Sequence, residues 1–357
     1  MLRRLLAVGA AVTVIAGAIT GPAAAQVEVK SRAVELTITG RVHTQFNSTS
    51  VEGEPASEFL IRRARLTAEI KVNDFVSGKI QPDYGEGKLS LKDAYVRLTF
   101  APTFRATIGQ FKRPFDIFEL TSSTSILVVE RAGGVNGVDT CAGPGGICSF
   151  SRFTEKLQYS DRDIGVMVDG TSKDGRVSYM AAVTNGTGAN TADENGTRSY
   201  SGRVAVEPLA GVVLAGNVGV HDYVDPSTGN EYAVAYGGDL EIGNYSSGLH
   251  IQAGFVAGDN WQNLVAGRPS TFLTGQGIVT YKAPVAGNRF LSAIEPVGRV
   301  SWGDPDSDLS DNEGWLITPG FVFHFTGRNK IGANVDIWTP TVGDTEWSVK
   351  VQSYLHF

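Results

Sequence analysis

From about residue 34 to its last residue the chain repeats one pattern: roughly ten residues of alternating polarity, then a cluster of Gly, Asn, Asp, Ser or Pro. A β-strand has a side-chain period of two, so each such segment carries one apolar and one polar face. The clusters between them have the chemistry of turns. Sixteen strands can be read, at 34–46, 59–71, 74–84, 88–100, 103–112, 161–169, 174–185, 198–207, 211–222, 230–243, 246–257, 270–282, 288–303, 313–325, 327–338 and 345–357. Short turns (Val72-Asn73, Ala101-Pro102) alternate with long connections at 47–58, 186–197 and 258–269.

The class is therefore all-β, and an even strand number suits a closed antiparallel transmembrane barrel. A water-soluble sandwich shows the same alternation with its apolar face inward, so alternation by itself leaves both open. Two features favour the membrane. Polar faces carry Gly, Asn, Gln and single charges, as a wet lumen would: His250, Gln252 and Gly254 oppose Leu249, Ile251, Ala253, Phe255 and Ala257. In the same way Gly332, Asn334 and Asp336 oppose Ile331, Ala333, Val335 and Ile337. Aromatics also gather at strand ends (Phe100, Phe104, Tyr223, Trp261, Trp302, Trp315, Trp338, Trp347), which suits interfacial girdles.

The N-terminus reads as a secretory signal: Arg3 and Arg4, an apolar run from Leu5 to Thr20, then Ala23-Ala24-Ala25 before Gln26. Cleavage after Ala25 is expected to leave one barrel domain, 26–357, with a net charge near -8, since the whole chain is -6 and loses two arginines. That acidity argues against nucleic acid as a partner. The last strand ends Val351-Gln-Ser353-Tyr-Leu355-His-Phe357. It has the form of the C-terminal signal that the barrel-assembly machinery reads, with Phe357 as its last residue. The expected location is the outer membrane of a Gram-negative-type bacterium, among its lipid and lipopolysaccharide.

Charge is uneven. Residues 59–115 hold eleven Lys and Arg against five acids, +6 in a chain whose remainder is then -14. The pleat assigns Leu60, Ala64, Leu66, Ala68 and Ile70 to lipid and Arg63, Arg65, Thr67, Glu69 and Lys71 to the lumen. It likewise turns Ser77, Lys79, Gln81, Asp83, Asp93, Tyr95, Arg97, Arg105 and Thr107 inward. Arg62 has the wrong parity, so it sits near the interface or on a bulge. A charge on the lipid face costs about 2–4 kcal/mol at mid-membrane. A basic lumen wall either keeps the pore wet or attracts anions.

The segments Phe59-Leu-Ile-Arg-Arg-Ala-Arg-Leu66, Leu89-Ser-Leu-Lys-Asp-Ala-Tyr95, Gly109-Gln-Phe-Lys-Arg-Pro-Phe115, Glu119-Leu-Thr-Ser-Ser123 and Val129-Glu-Arg-Ala132 occur in this order. Together they resemble the phosphate-selective porins O and P. The resemblance is specific over about 59–132 and elsewhere is one of strand rhythm. It implies a sixteen-stranded, homotrimeric porin whose channel is narrowed by an inward-folded loop, here 114–150. It also implies that small anions, phosphate among them, pass a constriction of basic and hydroxyl side chains. Matched by motif, that constriction would use Arg62, Arg63, Asp93, Ser122, Ser123 and Arg131, with Arg65, Lys79, Arg97, Arg105 and Lys112 lining the approach. The chain departs from the family in lacking a dense arginine ladder in later strands. There Arg203 and Arg299 stand alone, with Glu207 and Glu295 on their faces. A general pore for small solutes is the alternative reading. Asp93 would either temper trapping between cations or pair with Arg97 or Lys92.

Cys141 and Cys148 flank a Gly-rich stretch and are expected to form a disulfide in an exported chain. Asp304, Asp306, Asp308 and Asp311 read as a solvated outer loop in preference to a cation site. Gly211 and Gly216 read as small positions within a strand. His221, His250, His324 and His356 are scattered, with no nucleophile beside a base, no P-loop and no dinucleotide motif. No cofactor, metal or catalytic site is expected. A barrel enzyme and a secreted β-sandwich binding protein are the remaining alternatives.

Overall fold

The computed structural model describes residues 27–30, 34–50, 56–131 and 149–357. The signal segment, Cys141 and Cys148 lie outside the described residues. Seventeen strands follow in order: β1 Val27–Lys30, β2 Glu35–Thr49, β3 Ser57–Lys71, β4 Val76–Asp83, β5 Ser90–Ala101, β6 Phe104–Lys112, β7 Arg162–Thr171, β8 Val177–Thr184 and β9 Ser199–Leu209. They continue as β10 Val212–Asp225, β11 Gly229–Gly243, β12 Gly248–Val265, β13 Arg268–Pro284, β14 Ala293–Asp304, β15 Gly314–His324, β16 Lys330–Pro340 and β17 Glu346–His356. Two short helices, α1 Ile117–Leu120 and α2 Phe150–Lys156, lie between β6 and β7.

Each strand from β2 to β17 pairs antiparallel with the next. The sheet closes where β17 returns to β2, from Ser348 opposite Thr49 to His356 opposite Arg41. This is the expected sixteen-stranded barrel, and closure rules out the sandwich. It also leaves no open edge, the condition for a sheet to exist in lipid. β1 continues the seam beyond the end of β17, pairing Val27 with Ile38 and Lys30 with Glu35.

The two faces divide by parity. Outward residues include Val96, Ile108, Leu249, Phe255 and Phe321, each at least half exposed. A water-soluble surface rarely shows so much contiguous apolar area, whereas a bilayer solvates it. Inward residues include His250, Gln252, Asn334 and Asp336, all nearly fully buried. The girdles form in part: Phe100 and Phe104 pack in a chain with Phe75 at one rim, and Trp302 meets Trp315 at the other.

Several expectations need correction. Residues 258–269 are not a long loop, because β12 and β13 run on to a two-residue turn at Ala266-Gly267, both with positive φ. Such a turn matches the twist of a hairpin. Beyond the bilayer no lipid enforces apolar–polar alternation, so that extension is silent in the sequence. For the same reason β2 and β3 extend to Thr49 and Ser57 through residues read as loop. Gly211 is a turn residue with φ +77°, not a strand position. Tyr223, Trp261 and Trp338 leave the girdle: Tyr223 shares the inward parity of His221, and Trp338 that of Asp336. A Cβ at Gly314 would stand 2.1 Å from the Trp338 ring.

Arg62 resolves onto the bulge. His43 pairs with Arg63 and Thr44 with Ile61, so Arg62 is the extra residue on β3. A bulge flips the parity beyond it. Phe59 and Ile61 therefore take the lipid face, at 85% and 54% exposed, and Leu60 does not.

Candidate functional site

The described residues between β6 and β7, 113–131 and 149–161, pack against the inner face of the barrel wall. α1 starts at Asp116, whose Oδ1 accepts from Glu119 N at 2.7 Å as an N-cap. Phe115, Ile117, Phe118, Leu127, Val128, Phe150, Phe153, Leu157 and Tyr159 form one apolar cluster with inward residues of β10 to β14, among them Tyr223, Val256, Phe272 and Val297. Burying such side chains stabilises by about 1.5–3 kcal/mol each. Three inner-wall glycines give it room. A Cβ at Gly219 would lie 3.0 Å from Tyr159, one at Gly254 3.1 Å from Phe118, and one at Gly332 3.2 Å from Val129. Polar contacts pin the same segment: Val129 N donates to Asn334 Oδ1 at 2.5 Å, Phe150 N to Ser301 Oγ at 2.9 Å, and Trp261 Nε1 to Leu157 O at 2.9 Å.

Its described residues thus cover the inner wall of β10–β14, while the wall of β2–β5 borders open volume. Two cavities run along that wall. One is lined by Arg41, Thr67, Gln81, Ser122 and Thr124, the other by Tyr95, Arg97 and Thr99, and they share Glu69 and Lys79.

The residues of the basic wall lie where the pleat puts them, and most have a carboxylate. Both Arg62 and Arg63 reach Glu130 of the inward segment, Nε to Oε1 at 2.8 Å and Nη2 to Oε2 at 2.9 Å. Arg62 also meets Glu86 at 2.8 Å. Arg65 binds Asp83 at 2.6 Å and donates to Ser123 Oγ at 3.2 Å. Lys79 and Arg162 share Asp93, at 2.9 and 2.7 Å, so the acid pairs with neither Arg97 nor Lys92. Arg97 and Arg105 share Asp169, at 3.5 and 2.6 Å, nearer the short-turn rim. Lys112 and Arg131 share Glu119, at 3.2 and 3.4 Å. Arg131 points away from the Arg62–Arg63 pair, donating to Phe118 O at 2.8 Å. Ser122 Oγ meets Thr124 Oγ1 at 3.0 Å beside the vestibule.

Arg203 and Arg299 are not isolated. Arg203 pairs with Asp239 at 2.7 Å, while Arg299 and Lys350 both hold Asp336. The outer-loop acids serve as turn acceptors, Asp304 for Asp306 N and Asp306 for Asp308 N. No metal-ligand cluster occurs among the described residues.

Sequence reasoning missed Arg41 and Arg162, and it counted Lys92 in the basic stretch without giving it a face. Arg41 stands on β2 directly opposite Arg65, and among the described residues neither Arg41 nor Lys92 has an ion-pair partner. The parity of Arg41 with His43 and Gln45 could have found it. Two of the ion-paired sets, Arg97 and Arg105 on Asp169 and Lys112 and Arg131 on Glu119, put two cations on one carboxylate, whereas Arg62 also has Glu86 and Arg162 also has Asp161 at 3.5 Å. On the inward segment, burial opposes ionisation of Glu130, yet Arg62 and Arg63 hold its carboxyl well below the usual range. Burial, with Glu119 and Asp161 nearby, pushes Glu155 up to about 8. Burial also raises Asp116 to about 6.

The profile of the family described as "Phosphate-selective porin O and P" matches residues 36–243. No curated protein sequence matches the chain. Among solved structures it is similar to the outer membrane channel DcaP of Acinetobacter baumannii, with 11% identity, 92% of this chain and 99% of that one covered, and a TM-score of 0.65. It is also similar to the anion-selective porin from Comamonas acidovorans, with 12% identity, 91% and 100% covered, and a TM-score of 0.61. Salmonella typhi OmpF gives 12% identity, 93% and 100% covered, and a TM-score of 0.59. At these identities the likeness is one of fold.

Proposed function

The chain belongs to the phosphate-selective porin O and P family, and from that premise we propose that small anions cross it passively along the β2–β6 wall. It is a porin of the Gram-negative outer membrane. The observation that supports anion preference is the excess of cations over acids in residues 59–115, together with Arg41 on the cavity wall, which makes no ion pair among the described residues. Field lines from a wall of one sign raise the local counter-ion concentration. A permeating anion exchanges part of its water for donors from Arg41, Ser122 and Thr124.

Passage needs binding that is weak and spread over several sites. The shared carboxylates Asp93, Asp169 and Glu119 supply that restraint, since each draws on two cations of the wall. Phosphate is then a weakly held solute and no tightly bound one. The barrel carries out no catalysis in this reading. A homotrimer is supported by the trimer form recorded for Vibrio cholerae OmpT, a structural neighbour. Insertion would proceed through the β17 strand and Phe357.

Ion substitution in planar bilayers tests the reading. Replacing chloride by the slower acetate should lower single-channel conductance more than replacing potassium by the slower lithium. The reverse order would show that cations carry the current.

A further inference from the structure

We infer that Glu130 is a tethered counter-anion: its carboxylate fills an oxyanion cradle, made by Arg62, Arg63 and Gln352, that would otherwise hold a phosphate or carboxylate solute. The inference rests on the anion-channel reading above and names the residue that sets how tightly that channel holds its solute.

The cradle has the chemistry of oxyanion recognition. Five N–H donors converge on one carboxylate: Arg62 Nε at 2.8 Å and Nη2 at 3.2 Å, Arg63 Nη1 at 3.3 Å and Nη2 at 2.9 Å, and Gln352 Nε2 at 3.3 Å. Guanidinium forks match the geometry of carboxylate and phosphate oxygens, and charge-assisted bonds of this kind are roughly twice as strong as neutral ones. Two arginines adjacent in sequence point inward together because the bulge at Arg62 cancels the alternation that would otherwise separate them. Neither arginine is supplied with a second buried acid. Glu86, the other partner of Arg62, is 45% exposed and its pull is screened by water.

The segment does not depend on this carboxylate for its position. Arg299 Nη1 donates to the Glu130 carbonyl at 2.9 Å, and Asn334 accepts from Val129 N. The backbone is held by bonds that a side-chain substitution leaves in place. Removing the carboxylate therefore empties the cradle without releasing the segment. A free oxyanion can then take its place between the same donors.

The test is block of the chloride current by inorganic phosphate in planar bilayers, for the full chain and for Glu130→Ala, with Glu130→Gln as the variant that keeps the packing. Phosphate should block Glu130→Ala at a concentration lower by about ten-fold or more than it blocks the natural chain, the effect of a few charge-assisted bonds. Glu130→Gln should shift the same way by less, and adding Arg62→Gln to either should reverse the gain. Equal phosphate block in the natural chain and both variants, with all three anion-selective, would overturn the inference. A natural chain selective for cations would instead overturn the anion-channel reading, so the two failures are told apart.

Discussion

Arg41 and Arg65 stand directly opposite each other on β2 and β3, and among the described residues Arg65 makes an ion pair, with Asp83 at 2.6 Å, while Arg41 makes none. Like charges at facing positions destabilise a sheet unless something compensates them. Here Arg41 lines a cavity with Ser122 and Thr124. A pair of this kind is tolerable in a wet lumen, and in the reading proposed above it draws anions.

Arg41→Gln should therefore lower anion preference and leave the fold intact, since it removes a charge that faces Arg65 and makes no ion pair among the described residues. The loss should be largest at low ionic strength, where the Debye length reaches about 30 Å at 0.01 M against about 3 Å at 1 M. Reversal potentials at both salt levels check this. Equal values for variant and natural chain at low salt would remove Arg41 from the account.

Asp336→Ala should behave in the opposite way, costing stability first. Its carboxylate holds Arg299 and Lys350, both almost wholly buried. Removing one partner of a buried ion pair costs about 3–5 kcal/mol. The midpoint of the heat-dependent shift in gel migration should fall clearly below that of the natural chain, and an unchanged midpoint would contradict the burial argument.

Gly254→Leu should disturb the inward segment and not the barrel. A Cβ there already stands 3.1 Å from Phe118, so a larger side chain pushes α1 toward the open wall. Single-channel conductance should drop, with heat-modifiable migration retained. Gly216, where a Cβ meets nothing within 4 Å, provides the control as Gly216→Ala.

Raising the pH should loosen the segment. Glu155 has its pKa raised from 4.5 to about 8, so the folded state holds its proton more tightly than the unfolded one. Stability from this group is fully present below about 4.5 and is lost as pH rises toward about 8. Glu119, held low by Arg131 and Lys112 against its burial, titrates below that window. Open-channel current noise should increase between pH 5 and 8, on the order of the window set by these values. Glu155→Gln should flatten the dependence, and an identical dependence in that variant would assign it elsewhere.

What the sequence made legible follows from where physics enforces a pattern. Within the bilayer every strand must alternate, so all sixteen strands and the inward facing of Arg63, Arg65, Lys79, Arg97 and Arg105 could be read directly. Outside it nothing enforces alternation, and the extensions of β2, β3, β12 and β13 went unseen. The partners of the basic wall were equally hidden. Glu130 and Glu119 arrive on a segment whose inward fold is set by an apolar cluster with Val256, Phe272 and Val297. Those inward residues break the polar-lumen rule only because the segment covers them. Arg41 was missed because it lies outside the dense stretch at 59–115.

The central claim is that the excess of cations on the basic wall, and not the acidic remainder of the chain, decides which ions pass. The most direct test is the zero-current potential of the purified protein in a planar bilayer under a KCl gradient at low ionic strength. The account predicts the sign given by chloride moving faster than potassium, with a magnitude that shrinks as salt is raised. A potential of the opposite sign would show the acidic remainder dominating and would contradict it.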